Sequence, residues 1–364
     1  MGTTTGSLDN MHTFNGGFTL NDGIVRINRT GDTIAGANTF GPLGTGTTTL
    51  AGGALTASGA SGRSLYNPVA FNGNFAIGET VTNTGTISFN GGVAVIGNTS
   101  INTAVAVTIG TSATSPGISG SASLTKTGAA ILRVNGTSTY NGAISIDAGT
   151  FTIGSVATLT IGSGGSLKTN GGSIAAGNAT SSQLVIASGA MLSGTGAVNV
   201  STTISGVHAP GNSPGLQTFA NGLAYAAGAT FQMELTNPTG ARGADFDAVD
   251  VTGGSFSLAP GGTMNIALGG SVDVTSTYWD TDHSWLVIDL ASGTTGDGGA
   301  ESFTVGSVTG GNYSPTEGFF STSRLADGNG KKDLYLNWNA VPEPSSAALI
   351  LLGAAAIGFR RRRD

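Results

Sequence analysis

The chain has no cysteine and only three histidines, His12, His208 and His283. The first absence excludes disulfides and thiolate metal sites, and the second leaves few imidazoles for metal ligation or proton transfer. Charge is also scarce: Asp, Glu, Lys and Arg make up 9% of the 364 residues, against about 25% in an average soluble domain. Aromatic residues contribute a further 7%. A surface helix sets a charged face against an apolar stripe, so long helices are not expected. Nor is there a basic patch. Residues 1–204 carry 6 basic and 5 acidic side chains, whereas residues 205–343 carry 4 and 14, a balance that excludes the phosphate-neutralising surface nucleic-acid binding needs. None of the four lysines lies in a Gly-Lys-Ser/Thr phosphate loop, and no His-Glu-x-x-His motif occurs. No metal or cofactor is expected.

Glycine and threonine are abundant, with 62 and 50 residues. Glycine, proline and serine together reach a share at which disorder competes with folding, so pattern has to decide. A turn of small residues followed by alternating apolar side chains recurs, as in Gly16-Gly17-Phe18-Thr19-Leu20, Gly91-Gly92-Val93-Ala94-Val95 and Gly261-Gly262-Thr263-Met264. Alternation of period two marks strands, and glycine at the bends admits positive φ without steric cost. Strands this short cannot bury a face alone and must stack. The pattern therefore predicts an all-β protein, a parallel β-helix (solenoid), in preference to a β-sandwich, whose core of about 10 Å calls for more large side chains. The expected division is a regular β-helix over residues 1–204, an acidic, less regular continuation and cap over 205–340, and a separate tail over 341–364.

The stretch Leu124-Thr125-Lys126-Thr127-Gly128, followed by Asn135-Gly136, Tyr140-Asn141-Gly142 and Ala148-Gly149-Thr150, resembles the autotransporter-associated β-strand repeat. That resemblance covers residues 124–154 and implies a right-handed β-helix. An autotransporter would end in a membrane barrel of alternating strands, whereas this chain ends differently. Val341-Pro342-Glu343-Pro344-Ser345-Ser346 leads into an apolar run, Ala347 to Phe359, and then into Arg360-Arg361-Arg362-Arg363-Asp364.

The prolines force extended backbone, and the apolar run predicts a short hydrophobic helix, less than the roughly 20 residues of a full span. The arginines favour a cytoplasmic membrane face. Read by periodicity alone, the segment is a buried C-terminal helix with a basic cap. The order of its three zones resembles the PEP-CTERM sorting signal of Gram-negative bacteria, which implies a partner, an exosortase-type membrane processing enzyme, and transient inner-membrane insertion through residues 345–363. Delivery to the cell surface, outer membrane or extracellular matrix would follow, with exopolysaccharide as a further candidate partner. Such a tail requires a secretory leader, and Met1 to Ser7 has neither a basic n-region nor an apolar h-region; the leader is expected upstream of Met1.

Four clusters are candidates for chemistry. Asp245, Asp247 and Asp250 fall close together, and alternation places the first two on one strand face, where they could bind Ca²⁺ or act as an acid/base pair; with no nearby basic residue or histidine that completes a catalytic set, a solvated strand edge is the plainer reading. Trp279 and Trp285, beside Asp280, Asp282 and His283, could stack a sugar ring or close the end of the core. Gly211-Asn212-Ser213-Pro214-Gly215 has the spacing of a nucleophile elbow, but Pro214 lacks the N–H that an oxyanion hole needs. Asp327-Gly328-Asn329-Gly330-Lys331 alternates oxygen ligands like a calcium loop until Lys331 breaks the series, which favours a tight turn. Together these features point to an exported structural or adhesin-like protein that is not an enzyme. The alternative is an exported β-helix protein that binds or cleaves polysaccharide, with the three aspartates as its carboxylates.

Overall fold

In the computed structural model, residues 5–8, 12–34, 37–178, 180–296 and 299–341 are described. They form an all-β structure built on three long sheets of 13, 12 and 11 strands, here called the first, second and third. The only helix among the described residues is one 3-10 turn, Thr277–Asp280. From Ala54 to Leu268 the chain visits the three sheets in fixed rotation: Ala54–Ala57 belongs to the first, Arg63–Leu65 to the second and Val69–Phe71 to the third, and Asn74–Ile77 begins the next circuit. Each strand pairs in parallel with the strand one circuit on, which is the arrangement of a β-helix or solenoid. A circuit takes from 16 residues, Met191 to Val207, to 42, Ile266 to Val308.

Alternation in the sequence becomes stacking in space. Every second side chain of a strand points inward, and the register sets like upon like. In the first sheet one inward row runs Leu124, Ile144, Leu167, Leu192, His208, Phe231 and Met264. In the second sheet the corresponding row runs Val107, Leu132, Phe151, Ile174, Val198 and Phe219. Each such side chain is excluded from water, and burial contributes about 25 cal/mol per Å² of apolar surface. In the third sheet Tyr140 lies against Gly120 on one side, and its hydroxyl donates to the Ala122 carbonyl at 2.6 Å.

Corners are held by glycine and by inward polar side chains. Gly128 has φ +78°, and a Cβ there would stand 2.5 Å from the Thr103 carbonyl oxygen. Beside it Lys126 is completely buried. Its ammonium donates to Thr103 Oγ1 at 3.1 Å and to the carbonyls of Gly128 and Ala148, each at 3.0 Å. Burial pushes its pKa down to about 8.

The far end is built differently. His283–Leu290 continues the second sheet in parallel, but its other edge pairs antiparallel with Lys332–Ala340, which in turn pairs antiparallel with Gly318–Ala326. Trp279, Trp285 and Trp338 pack together beneath these long strands, with Trp338 ring centroids 5.0 Å from both Trp279 and Phe320. No helix among the described residues is long and apolar enough to cross a membrane. The expected hydrophobic helix within 347–359 lies outside the described residues.

Candidate functional site

The clusters singled out from sequence do not assemble into one site. Asp245 turns back on its own loop, where Oδ2 accepts the Ala241 N–H at 2.7 Å. Asp250 pairs with Arg242, whose guanidinium also donates to the carbonyls of Val249 and Leu286. The loop that precedes Asp245 carries Arg242 back onto the strand. Asp247 is 4% exposed and does not share a face with Asp245.

Trp279 and Trp285 are 2% and 5% exposed, so neither ring has a face free for a sugar. Their indoles and their neighbours' are spent on the end of the core: Trp285 Nε1–H donates to the Pro238 carbonyl at 2.8 Å and Trp338 Nε1–H to the Trp279 carbonyl at 2.8 Å. Asp327 Oδ1 accepts the N–H groups of Asn329 and Lys331, the bonding of a tight turn. Among the described residues no three carboxylates or imidazoles are grouped as metal ligands.

His208 lies in the core and cannot serve Ser213. Its Nε2 lies 2.7 Å from Gln217 Oε1, an acceptor, so Nε2 carries the proton, and Nδ1 accepts the Tyr225 hydroxyl at 2.6 Å. Gln217 donates onward to Thr169 Oγ1 and the Ser193 carbonyl. Burial pushes the imidazole pKa down to about 4, against a smaller upward effect of the Gln217 hydrogen bond. The ring is therefore neutral and structural, filling one step of an otherwise apolar inward row.

Two outer-face cavities, of about 450 and 250 Å³, adjoin on the first sheet. The larger is walled by the loop Gly211–Gly215 on one side and by outward residues of successive strands on the other: Lys168, Ser193, Gln232 and Glu234. Ser213 sits at φ +76°, a conformation a non-glycine residue adopts at a cost of order 1–3 kcal/mol. That posture aims its hydroxyl at Glu234, to which it donates at 2.9 Å.

Asp247 lies at the base and ties the two walls together, Oδ1 accepting the Gly215 N–H at 2.8 Å and Oδ2 the Glu234 N–H at 2.9 Å. Burial raises its pKa to about 7, a rise that these two hydrogen bonds oppose. Sequence reasoning named Asp247 and Ser213 but missed Lys168, Gln232 and Glu234. Outward alternation was visible in Thr230–Leu235; which outward positions share a row was not, because circuits differ in length.

Residues 340–363 match the PEP-CTERM protein-sorting motif. The motif indicates an exported, surface-directed protein that is held transiently in the membrane and processed by exosortase, a membrane enzyme. Pro342, Glu343, Pro344, Ser345 and Arg360 to Arg363 fall inside it, beyond the described residues. Val341 is described and exposed. No curated protein matches the chain. The motif opens on Ala340, the last residue of the strand Lys332–Ala340, where Ala340 N–H donates to Asp282 Oδ1 and Val341 N–H to the Glu317 carbonyl. The folded body and the sorting motif therefore meet without a linker.

Proposed function

We propose that this chain is an exported structural or adhesin-like solenoid of the cell surface or extracellular matrix, with no catalytic centre of its own. The observation that carries the reading is the position of the sorting motif, which begins on the last residue of the final strand. Before it, the described coils stack from Ala54 to Leu268 and end in an antiparallel sheet. In this reading residues 124–154 are an autotransporter-associated repeat, and the coil is right-handed, as parallel crossovers in one sheet almost always are. Residues 205–340 close the coil, and residues 347–359 form the transient membrane helix.

The three aspartates support a non-catalytic body, since each is engaged by a different partner. Export and processing are tested together by mass spectrometry of the secreted fraction. The expected product keeps Trp338 and Val341, whose backbones are held in the terminal sheet, and lacks Arg360 to Arg363. An intact Asp364 in that fraction overturns processing. Release of reducing ends from a polysaccharide panel by the full chain overturns the non-catalytic reading. The second reading, polysaccharide binding, is favoured by the groove on the first sheet.

A further inference from the structure

The outer face of the first sheet carries a row of polar side chains at right angles to its strands. Lys168 pairs with Ser193 and Ser193 with Ala209; Gln232 follows in the next circuit and pairs with Asn265. Neighbouring strands are about 4.8 Å apart, close to the length of one pyranose ring in a linear glycan; Ala209 is the one apolar step of the row, so Ser193 and Gln232 stand two strands apart. The two cavities lie along this row and share Gln232 and Met233 in their linings, so the depression is elongated along the coil axis.

We propose that this groove binds a linear, neutral, hydroxyl-rich oligosaccharide lying along the axis over Lys168, Ser193, Gln232 and Asn265, flanked by the Gly211–Gly215 loop and the Glu234 carboxylate that Ser213 holds. The inference rests on the adhesive reading above and supplies its ligand.

The chemistry of the lining selects that class. Lys168 donates, Glu234 accepts, and Ser193, Gln232 and Asn265 can do both, which suits hydroxyl groups that also do both. An extended peptide has no foothold, because every strand in the row is paired on both sides and no backbone N–H or C=O is left for strand addition. A polyanion is disfavoured by Glu234 within the groove and by the acidic excess of residues 205–343. Among the described residues Lys168 makes no ion pair, and its ammonium is exposed at one end of the row. Ser213 and Asp247 act as positioning residues: the first orients the Glu234 carboxylate, and the second fixes loop and strand at one separation.

The test is titration calorimetry of the full chain with neutral hexasaccharides of different linkage, and with hexagalacturonate as the polyanionic comparison. At least one neutral hexasaccharide binds, and Lys168→Ala, Gln232→Ala and Glu234→Gln each weaken it about fivefold, the loss of one hydrogen bond. Arg133→Ala, on the second sheet, leaves the affinity unchanged. The proposal is overturned if no neutral hexasaccharide binds, if hexagalacturonate binds more tightly than all of them, or if the three groove variants bind like the parent chain. Loss of binding with normal secretion would refute this ligand and leave the sorting result intact; normal binding without secretion would do the reverse.

Discussion

The coils between Ala54 and Leu268 and the terminal sheet between His283 and Ala340 bury their cores by opposite means. In the coils, strands of mostly three or four residues stack in parallel and fill a narrow interior with valine, isoleucine and leucine, joined by two aromatic groups, one at Phe71, Phe75 and Phe89 and one around Tyr225 and Phe231. At the end, strands of eight or nine residues run antiparallel over a cluster that includes all three tryptophans of the chain. A coil is covered by the next coil, and most of its inward positions take aliphatic side chains. The last coil has no successor, so its exposed core must be closed by larger groups from a different kind of pairing. The difference shows that stability in the coils is shared along the stack, whereas at the end it is concentrated in a few residues.

Removing the largest of those residues puts the contrast under most strain. Trp338→Ala should cost about 4 kcal/mol, since the ring is completely buried and its N–H anchors the Trp279 carbonyl. Chemical denaturation should show this loss, and hydrogen exchange should show protection falling first in the strands that pair with Lys332–Ala340. Equal loss throughout the coils would mean that the two regions are one cooperative unit.

A second break concerns the coil in which a polar group interrupts the aliphatic rows. His208 has a folded pKa below its ordinary value, about 4, so its contribution is complete above pH 6.5 and is lost as pH falls towards 4. Asp247 is raised to about 7, so its contribution is complete below pH 3.8 and is lost as pH rises through 7. The two slopes oppose one another between pH 4 and 6.5. In Asp247→Ala the His208 slope stands alone, and stability should fall on acidification by on the order of 3 kcal/mol more than in the parent chain. Urea midpoints at a series of pH values would read this; parallel pH profiles would show that Asp247 does not titrate between the folded and unfolded values given.

The smallest effect separates glycines by region. Gly128→Ala meets both positive φ and the Thr103 carbonyl and should cost about 2 kcal/mol. Gly328→Ala, in the turn of the terminal hairpin with nothing near a new Cβ, should change stability by less than about 0.5 kcal/mol. Comparable melting shifts for the two would show that coil corners are as forgiving as the terminal turn.

Much of the architecture was legible because it is local. Glycine pairs and alternating apolar residues mark bends and strands without reference to distant sequence, and the tail's proline, apolar and arginine zones are contiguous. The tryptophan cluster was ambiguous in sequence because aromatic side chains beside carboxylates serve a sugar site and a core end equally well; burial decided for the core.

The groove was least legible. Lys168, Ser193, Gln232 and Asn265 share a face only because circuits of unequal length, 25 residues from Lys168 to Ser193 and 16 from Ser193 to Ala209, return the chain to the same register. Asp247 looked like a surface carboxylate and became the tie between two walls when the Gly211–Gly215 loop folded over it. The scarcity of charge and the excess of glycine and threonine, together with the period-two alternation between glycine bends, determined a stacked β body, since strands this short must stack to bury a face. Which polar residues meet was settled only by the register between coils, because loop length is free in sequence and hydrogen-bond pairing across the sheet is not.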